Sequence, residues 1–423
     1  MIKRLSLTML VALMVLGPLS LVLAQDEEAV ELRWRTRPGT EVEAELYAGI
    51  GETIDAEWDG VGLTYEGVSE NYVDVLITEI EAGTAPDVYW IPGIEVARFA
   101  QRGLLYNLND LAAADEGFSI EDFYAGPMSF LTTPVDEGDA LWGLPRDVSS
   151  FAIYYNATLF DEAGIPYPGG EDWTWERFYD SAEAIRGLGD EIYGFGMGTW
   201  WAHWGYWVNT GGGALFNDDY TACALDTEGT VTGLEFITSL YTDDLALPFG
   251  TNAEPAFTAG TLGMFQQGRW GTPNLVNNAD FEWNVAPLPE GPGGPSNWIF
   301  WGAYVVNPNT EHPQEAWELL RRLTEPEVQG QIASLGANIP SRSTNVAIDL
   351  FLDTYAERGL NNQAFVDGLQ VGLAEAPLFF GDWGAINQAY SDGINAVFDG
   401  TLTPQAFSET ICVQVAAAFT GSE

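Results

Sequence analysis

The chain has 423 residues and carries 62 Asp+Glu against 15 Lys+Arg, a net charge of −47 at pH 7. A surface of that sign repels nucleic acid and anionic membranes, which excludes functions built on binding polyanions. Hydrophobic residues make up 46% of the chain and aromatics 13%, enough for a substantial core and too much for a largely disordered protein.

Met1 to Ala24 reads as an export signal, residues 1–24. Lys3 and Arg4 open it, Leu5 to Leu16 is apolar, Gly17-Pro18 breaks the run, and Val22-Leu23-Ala24 supplies small residues for cleavage. Cleavage after Ala24 leaves Gln25 first and removes Lys3 and Arg4, so 13 positive side chains, all Arg, face 62 acids, a net charge of 13 − 62 = −49. No Cys follows the apolar run to take a lipid, and no later segment reaches the roughly 20 apolar residues that span a bilayer. A soluble protein outside the cytoplasm is expected, in the periplasm or at the outer cell surface. An oxidising compartment permits a disulfide between Cys223 and Cys412, the two cysteines of the chain; two separate buried thiols are the alternative.

In chain order, Ala29 to Arg35 alternates like a strand, and Arg37-Pro38-Gly39-Thr40 turns into a helix over Glu41 to Trp58. Leu63 to Val68 is a second strand, Tyr72 to Glu81 has helical spacing, and Asp87 to Trp90 is a third strand. This β-α-β-α-β alternation predicts a mostly parallel sheet with helices on its faces and ligands at the carboxyl ends of its strands, where Arg35 and Trp90 lie. Further helices are expected over Glu95 to Gly103, from Asn156 to Gly164, over Trp175 to Leu188 behind an N-capping Thr174, over Thr230 to Tyr241, and over Pro313 to Leu323. Ser149 to Tyr155 reads as a hydrophobic strand. Pro166 to Glu171 and Glu290 to Pro295 are turn-rich connectors.

One stretch stands apart. Trp200, Trp201, Trp204 and Trp207 fall within eight residues, just before Gly211-Gly212-Gly213. Flat indole faces beside glycine-permitted backbone suit the apolar face of a sugar ring; the alternative is core packing.

Several separated segments resemble the extracellular solute-binding proteins of ABC transporters, the sugar-binding family that includes maltose-binding protein. They are Ala85-Pro-Asp-Val-Tyr-Trp with Phe99-Ala-Gln-Arg-Gly-Leu-Leu-Tyr-Asn-Leu; Leu141-Trp-Gly-Leu-Pro-Arg-Asp with Tyr154-Tyr-Asn-Ala-Thr-Leu-Phe-Asp-Glu-Ala-Gly-Ile; Thr174-Trp-Glu-Arg-Phe; Phe257-Thr-Ala-Gly-Thr-Leu-Gly-Met-Phe-Gln-Gln-Gly-Arg-Trp; Ala286-Pro-Leu-Pro; Glu315-Ala-Trp-Glu-Leu-Leu; and Asn338-Ile-Pro-Ser-Arg. The resemblance implies an α/β, two-lobe periplasmic-binding-protein fold of the hinged type II, with multiple crossovers between lobes. Residues 25–147 and 300–345 would form the N-terminal lobe, and 148–299 and 346–423 the C-terminal lobe. Crossings fall near Arg146 to Ser149, Trp298 to Trp301 and Ser343 to Ala347. The resemblance further implies a carbohydrate bound between lobes that close on it, membrane permease subunits of an ABC transporter as partners, a monomer, no nucleic-acid partner and no cofactor.

By position in the family pattern, Trp270 and Trp383 are expected to stack on the ligand, and Trp201 and Trp204 are chosen from the aromatic run. Trp90 ends a strand and faces either cleft or core; Trp301, at the return crossing, faces ligand or packs the hinge. Arg35, Arg146, Asp147, Asn209 and Arg342 are the polar candidates. Trp34, Trp58, Trp175 and Trp317 are expected in the core, and His203 is expected to pack. The rival reading is a secreted polysaccharide hydrolase, which also uses aromatic platforms and adds two carboxylates about 5–10 Å apart. A passive carbohydrate-binding surface protein is the third. The sequence has no His-x-x-x-His, no Gly-x-Ser-x-Gly elbow and no P-loop, which favours a receptor that does no chemistry.

Overall fold

The computed structural model describes residues 29–135, 137–343, 345–375 and 381–419. The expected export segment lies outside them, as do Phe379 and Phe380, just before Trp383. No described helix is long and apolar enough to cross a membrane.

Among the described residues, eleven strands form two sheets: β1 Val30–Thr36, β2 Val61–Gly67, β3 Val88–Pro92, β4 Gly143–Ser149, β5 Phe151–Asn156, β6 Tyr193–Gly196, β7 Leu262–Gly268, β8 Trp283–Ala286, β9 Asn297–Val306, β10 Ile339–Pro340 and β11 Gly372–Ala374. The larger sheet runs β10-β4-β9-β3-β1-β2, with β11 alongside β9; the smaller runs β6-β7-β5-β8. Helices cover both, giving two α/β lobes.

The first strands and helices fall where the sequence patterns put them. Thr40 caps the helix Glu41–Glu57 by accepting from the Glu43 N–H at 3.1 Å. The Glu43 carboxylate reaches back to the Gly39 N–H at 2.7 Å, so two otherwise orphaned donors at the helix start are satisfied. Asn156 caps Ala157–Ala163 in the same way, and Gly164 ends that helix at φ 68°, a conformation glycine adopts without penalty.

The larger sheet is not mostly parallel. β1 runs parallel to β2 and β3, as the alternation predicts, but β9 is antiparallel to both β3 and β4, and β10 is antiparallel to β4. The reason is the route of the chain. β9 enters from the other lobe rather than through a crossover helix, so no right-handed β-α-β unit sets its direction. β4 and β5 are separated only by Ser150 yet belong to different sheets. Asn297, at the start of β9, fastens the two passages together: its amide accepts from the Phe151 N–H at 3.0 Å and donates to the Phe151 carbonyl at 2.9 Å. After β10, the helix Asn345–Leu352 packs on the helix Pro326–Ser334 and on β10, so the chain stays with the larger sheet as far as Leu352.

Trp34, Leu76, Tyr89 and Tyr304 fill the core of the larger lobe; Phe178, Trp207, Leu234 and Tyr390 fill that of the smaller. Cys223 and Cys412 are joined in a disulfide that spans 189 positions of sequence. Tyr220, on the loop leading to Cys223, sets its ring 5.4 Å from Phe130 of the larger lobe.

Candidate functional site: the cleft between the lobes

The carboxyl ends of β1 and β3 and the turn after β7 face one another across a cavity of about 770 Å³. Arg37, Gly39, Thr40 and Glu43 come from the loop after β1 and the helix it enters; Trp90 comes from β3 and Arg146 from β4. The opposite wall is Trp270 with Pro273, Asn274, Asn277 and Asn278 of the helix Thr272–Asn278. Ser334, Leu335, Ala337, Asn338 and Tyr355 complete it. A volume of this size with an aromatic lining and a few convergent polar groups is typical of a small-molecule site.

Two features decide what the cavity favours. The first is Trp270, 39% exposed although its neighbours Arg269 and Gly271 are buried. Its indole leans on Phe300 and Phe151, with ring centres 5.2 and 6.0 Å away, and leaves a face open. A Cβ on Gly268 would lie 2.2 Å from this indole, so only glycine permits the ring to fold back over the strand end. The second feature is Arg146, which lies on the Trp90 ring at 4.8 Å, a cation–π contact. One of its terminal nitrogens donates to Asp147 at 2.6 Å. Its Nε and Nη1 are buried and have no partner among the described residues. Burial opposes the charge on Arg146, but Asp147 holds its pKa well above the ordinary value. Burial pushes the Asp147 carboxyl up, against the pull of Arg146. The cavity therefore presents the open face of Trp270 on one side, and on the other Arg146, whose two unpartnered donors are buried and whose charge the adjacent Asp147 balances.

The family model for bacterial extracellular solute-binding proteins matches residues 41–330, more than half of the 423-residue chain. The chain belongs to that family. It is 24% identical over 404 residues to a putative binding protein of Brucella abortus, covering 91% of this chain and 92% of that one. An ABC substrate-binding protein from Listeria monocytogenes, solved in complex with cycloalternan, has the same fold, with a TM-score of 0.80, 19% identity and coverage of 93% and 100% of the two chains. So does a cyclic alpha-maltosyl-1,6-maltose binding protein from Arthrobacter globiformis, with a TM-score of 0.79, 19% identity and coverage of 92% and 99%. The hinged two-lobe architecture is thus the one this solute-binding protein adopts, and its family places it outside the cytoplasm.

Within this solute-binding protein, Trp90, Arg146 and Trp270 come together at the cavity, with Asp147 directly behind Arg146. The other expected site residues lie elsewhere. Arg35 is buried and tied to Glu66 at 2.5 Å and to Glu79, because the strand register sets Glu66 beside it. Arg342 donates to Asp122 at 2.7 Å and to the Thr324 carbonyl at 2.5 Å, and stacks on Phe123. Trp301 packs the hinge: it stacks on Phe130 at 6.2 Å, and its N–H donates to the Glu375 carbonyl at 3.0 Å.

The aromatic run is a helix, Trp201–Thr210, and every residue of it is buried. Trp201 meets Trp298 edge-on at 4.9 Å, and Trp204 meets Tyr390 at 6.0 Å. The nearby glycines serve helix packing, since a Cβ on Gly233 would lie 2.3 Å from the Trp207 carbonyl oxygen. His203 packs on Phe151 at 4.7 Å, and burial lowers its pKa to about 4. Asn209 is buried near the end of the same helix, away from the cavity, with neither amide atom partnered among the described residues. Trp383 is half-buried, edge-on to Trp201 at 5.6 Å and to Phe216 at 6.0 Å, and does not line the cavity.

The sequence reading missed Arg37, Glu43, the Asn274–Asn277–Asn278 group and Tyr355. Arg37 and Glu43 had a usable signal, since both belong to the strand-to-helix turn at a carboxyl strand end. The asparagines and Tyr355 had none, because their place depends on how the lobes meet.

Proposed function

We propose that this chain is the extracytoplasmic receptor of an ABC importer and holds an oligosaccharide between its lobes. The lobe of the larger sheet, running on through the helix Asn345–Leu352, and the lobe of the smaller sheet would close on the sugar, and membrane permease subunits would read the closed form. The chain is read as a monomer without cofactor.

The observation that carries this reading is the pairing of an open indole, Trp270, with the Trp90–Arg146 wall across the cavity. An indole covers the C–H face of a pyranose, while the Nε and Nη1 of Arg146 suit hydroxyl acceptors that enter a desolvated site. Of the two structural relatives named above, one was solved in complex with cycloalternan and the other is a cyclic alpha-maltosyl-1,6-maltose binding protein.

Glu43 is the lone carboxylate among the described lining residues, and its oxygens already accept from the Gly39 N–H at 2.7 Å and the Tyr47 hydroxyl at 3.0 Å. A glycosidase of the usual kind needs two free carboxyl groups flanking the scissile bond, so the lining favours a receptor over a hydrolase. A thermal-shift screen against free saccharides tests the proposal. A receptor gains stability with a soluble oligosaccharide and releases no reducing ends. Release of reducing ends, or no shift with any saccharide, would refute it.

A further inference from the structure

Arg269 has no exposed surface and no carboxylate within ion-pair distance among the described residues. Arg37, which lines the cleft, is exposed to water; Arg269 is not. One of its terminal nitrogens donates to the Thr272 hydroxyl at 3.3 Å, while Nε and the other terminal nitrogen have no partner among the described residues. Burial lowers its pKa to about 10. A guanidinium in that position is costly unless something replaces its hydration.

Three aromatic rings do so. The guanidinium lies 4.9 Å from the ring centre of Phe351, 5.3 Å from Phe365 and 5.7 Å from Tyr355. Desolvated cation–π contacts are the strong kind. Arg269 follows β7 of the smaller sheet. Phe351 belongs to the helix that stays with the larger one, and Tyr355 both faces the cavity and donates its hydroxyl to the Leu335 carbonyl at 3.1 Å. The residue after Arg269 is Trp270. The backbone N–H of Arg269 also donates to Ser149 at 3.2 Å, where the chain leaves the larger sheet. One side chain thus joins the turn that carries the open indole to the segment across the lobe junction.

We propose that Arg269 is a positioning residue for the Trp270 platform: its aromatic cage holds the turn so that the indole faces the opposite lobe. This rests on the sugar-receptor reading. A purely structural arginine would affect binding through general stability, in any background. A positioning residue acts through the indole and loses its effect when the indole is gone.

The test is a double-mutant cycle of Arg269→Met with Trp270→Ala in the full mature chain, titrated calorimetrically with maltotriose, galactotriose and cycloalternan. Using whichever of these the unaltered protein binds, Arg269→Met is expected to weaken binding at least tenfold with Trp270 present and less than twofold with Trp270→Ala. Equal losses in both backgrounds overturn the assignment. If Arg269→Met fails to fold, Phe365→Leu removes one face of the cage while keeping the charge and the cavity lining. It is expected to weaken binding about threefold or more with Trp270 and not without it, and additivity there also overturns the proposal. If no saccharide of the thermal-shift screen binds the unaltered protein, the receptor reading fails and takes this inference with it. If it binds but Trp270→Ala changes nothing, the reading survives and the inference does not.

Discussion

Trp270→Ala separates ligand binding from folding. The indole is 39% exposed and rests on Phe300 of β9 and Phe151 of β5, so its removal leaves no large internal cavity. A stability loss of about 1 kcal/mol is expected, within the range of ordinary substitutions. Its loss to binding is larger. Covering one sugar face with the indole removes on the order of 100 Å² of apolar surface from water, and at about 25 cal/mol per Å² that contributes roughly 2.5 kcal/mol. At about 1.4 kcal/mol per decade this is roughly 60-fold in Kd, and imperfect stacking places the expected loss between about tenfold and a hundredfold. Calorimetric titration of the oligosaccharide that gives the largest thermal shift measures it, alongside a urea unfolding curve for each protein. A Kd within about twofold of the unaltered protein, with folding intact, would refute the stacking argument.

The other predictions rest on separate parts of the molecule. Trp204→Ala removes a ring that is 1% exposed in the smaller lobe; it should cost about 3–5 kcal/mol of stability in urea titration. Its effect on sugar affinity at a temperature where the variant is folded should be near zero. Arg146→Lys keeps a positive charge beside Asp147 but loses the planar fork over Trp90 and its two unpartnered donors. Calorimetry should show binding weakened about tenfold or more, and a Kd unchanged by the substitution would remove Arg146 from the site. Glu375 is 7% exposed, and burial, reinforced by Glu95, raises its carboxyl from an ordinary 4.5 to about 8. The folded protein then binds more protons than the unfolded chain between those values, so this group makes stability fall as pH rises from about 4.5 to 8. Urea midpoints at pH 5 and pH 8 should differ less in Glu375→Gln than in the unaltered protein, and an identical difference would contradict this.

Local physics made much of the fold legible. The helix Pro313–Leu323 was read to the residue, because Pro at its first position and an amphipathic stripe both mark its limits. Asn156 and Gly164 bracket a helix by capping chemistry alone. The sheet direction was not legible: the pairing of β9 depends on a passage between lobes, and strand pattern carries no sign of that.

The aromatic run was misjudged for a different reason. Trp201 and Trp204, three positions apart with Val208 four further on, follow a helical period and end up wholly buried. Glycine beside tryptophan suggested an open platform, whereas Gly211 and Gly233 bring two helices together, their added Cβ atoms meeting backbone at 2.5 and 2.3 Å. Trp90, Arg146 and Trp270 all line the cavity; the first is legible at a strand end, the second at a crossing, and Trp270 from its place in the family pattern. Arg35 was not distinguishable from Arg37, two positions on. Their difference lies in the neighbouring strand, which sets Glu66 beside Arg35 and whose pairing with β1 ends at Thr36, before Arg37.

The central claim is that a sugar sits between Trp270 and the Trp90–Arg146 wall. A crystal structure of the mature chain with the oligosaccharide that stabilises it most addresses this directly. The account predicts a sugar ring against the Trp270 indole, with a hydroxyl oxygen within hydrogen-bond distance of Arg146 Nε or Nη1. A saccharide bound at another surface, or one in this cavity that touches neither residue, would contradict it.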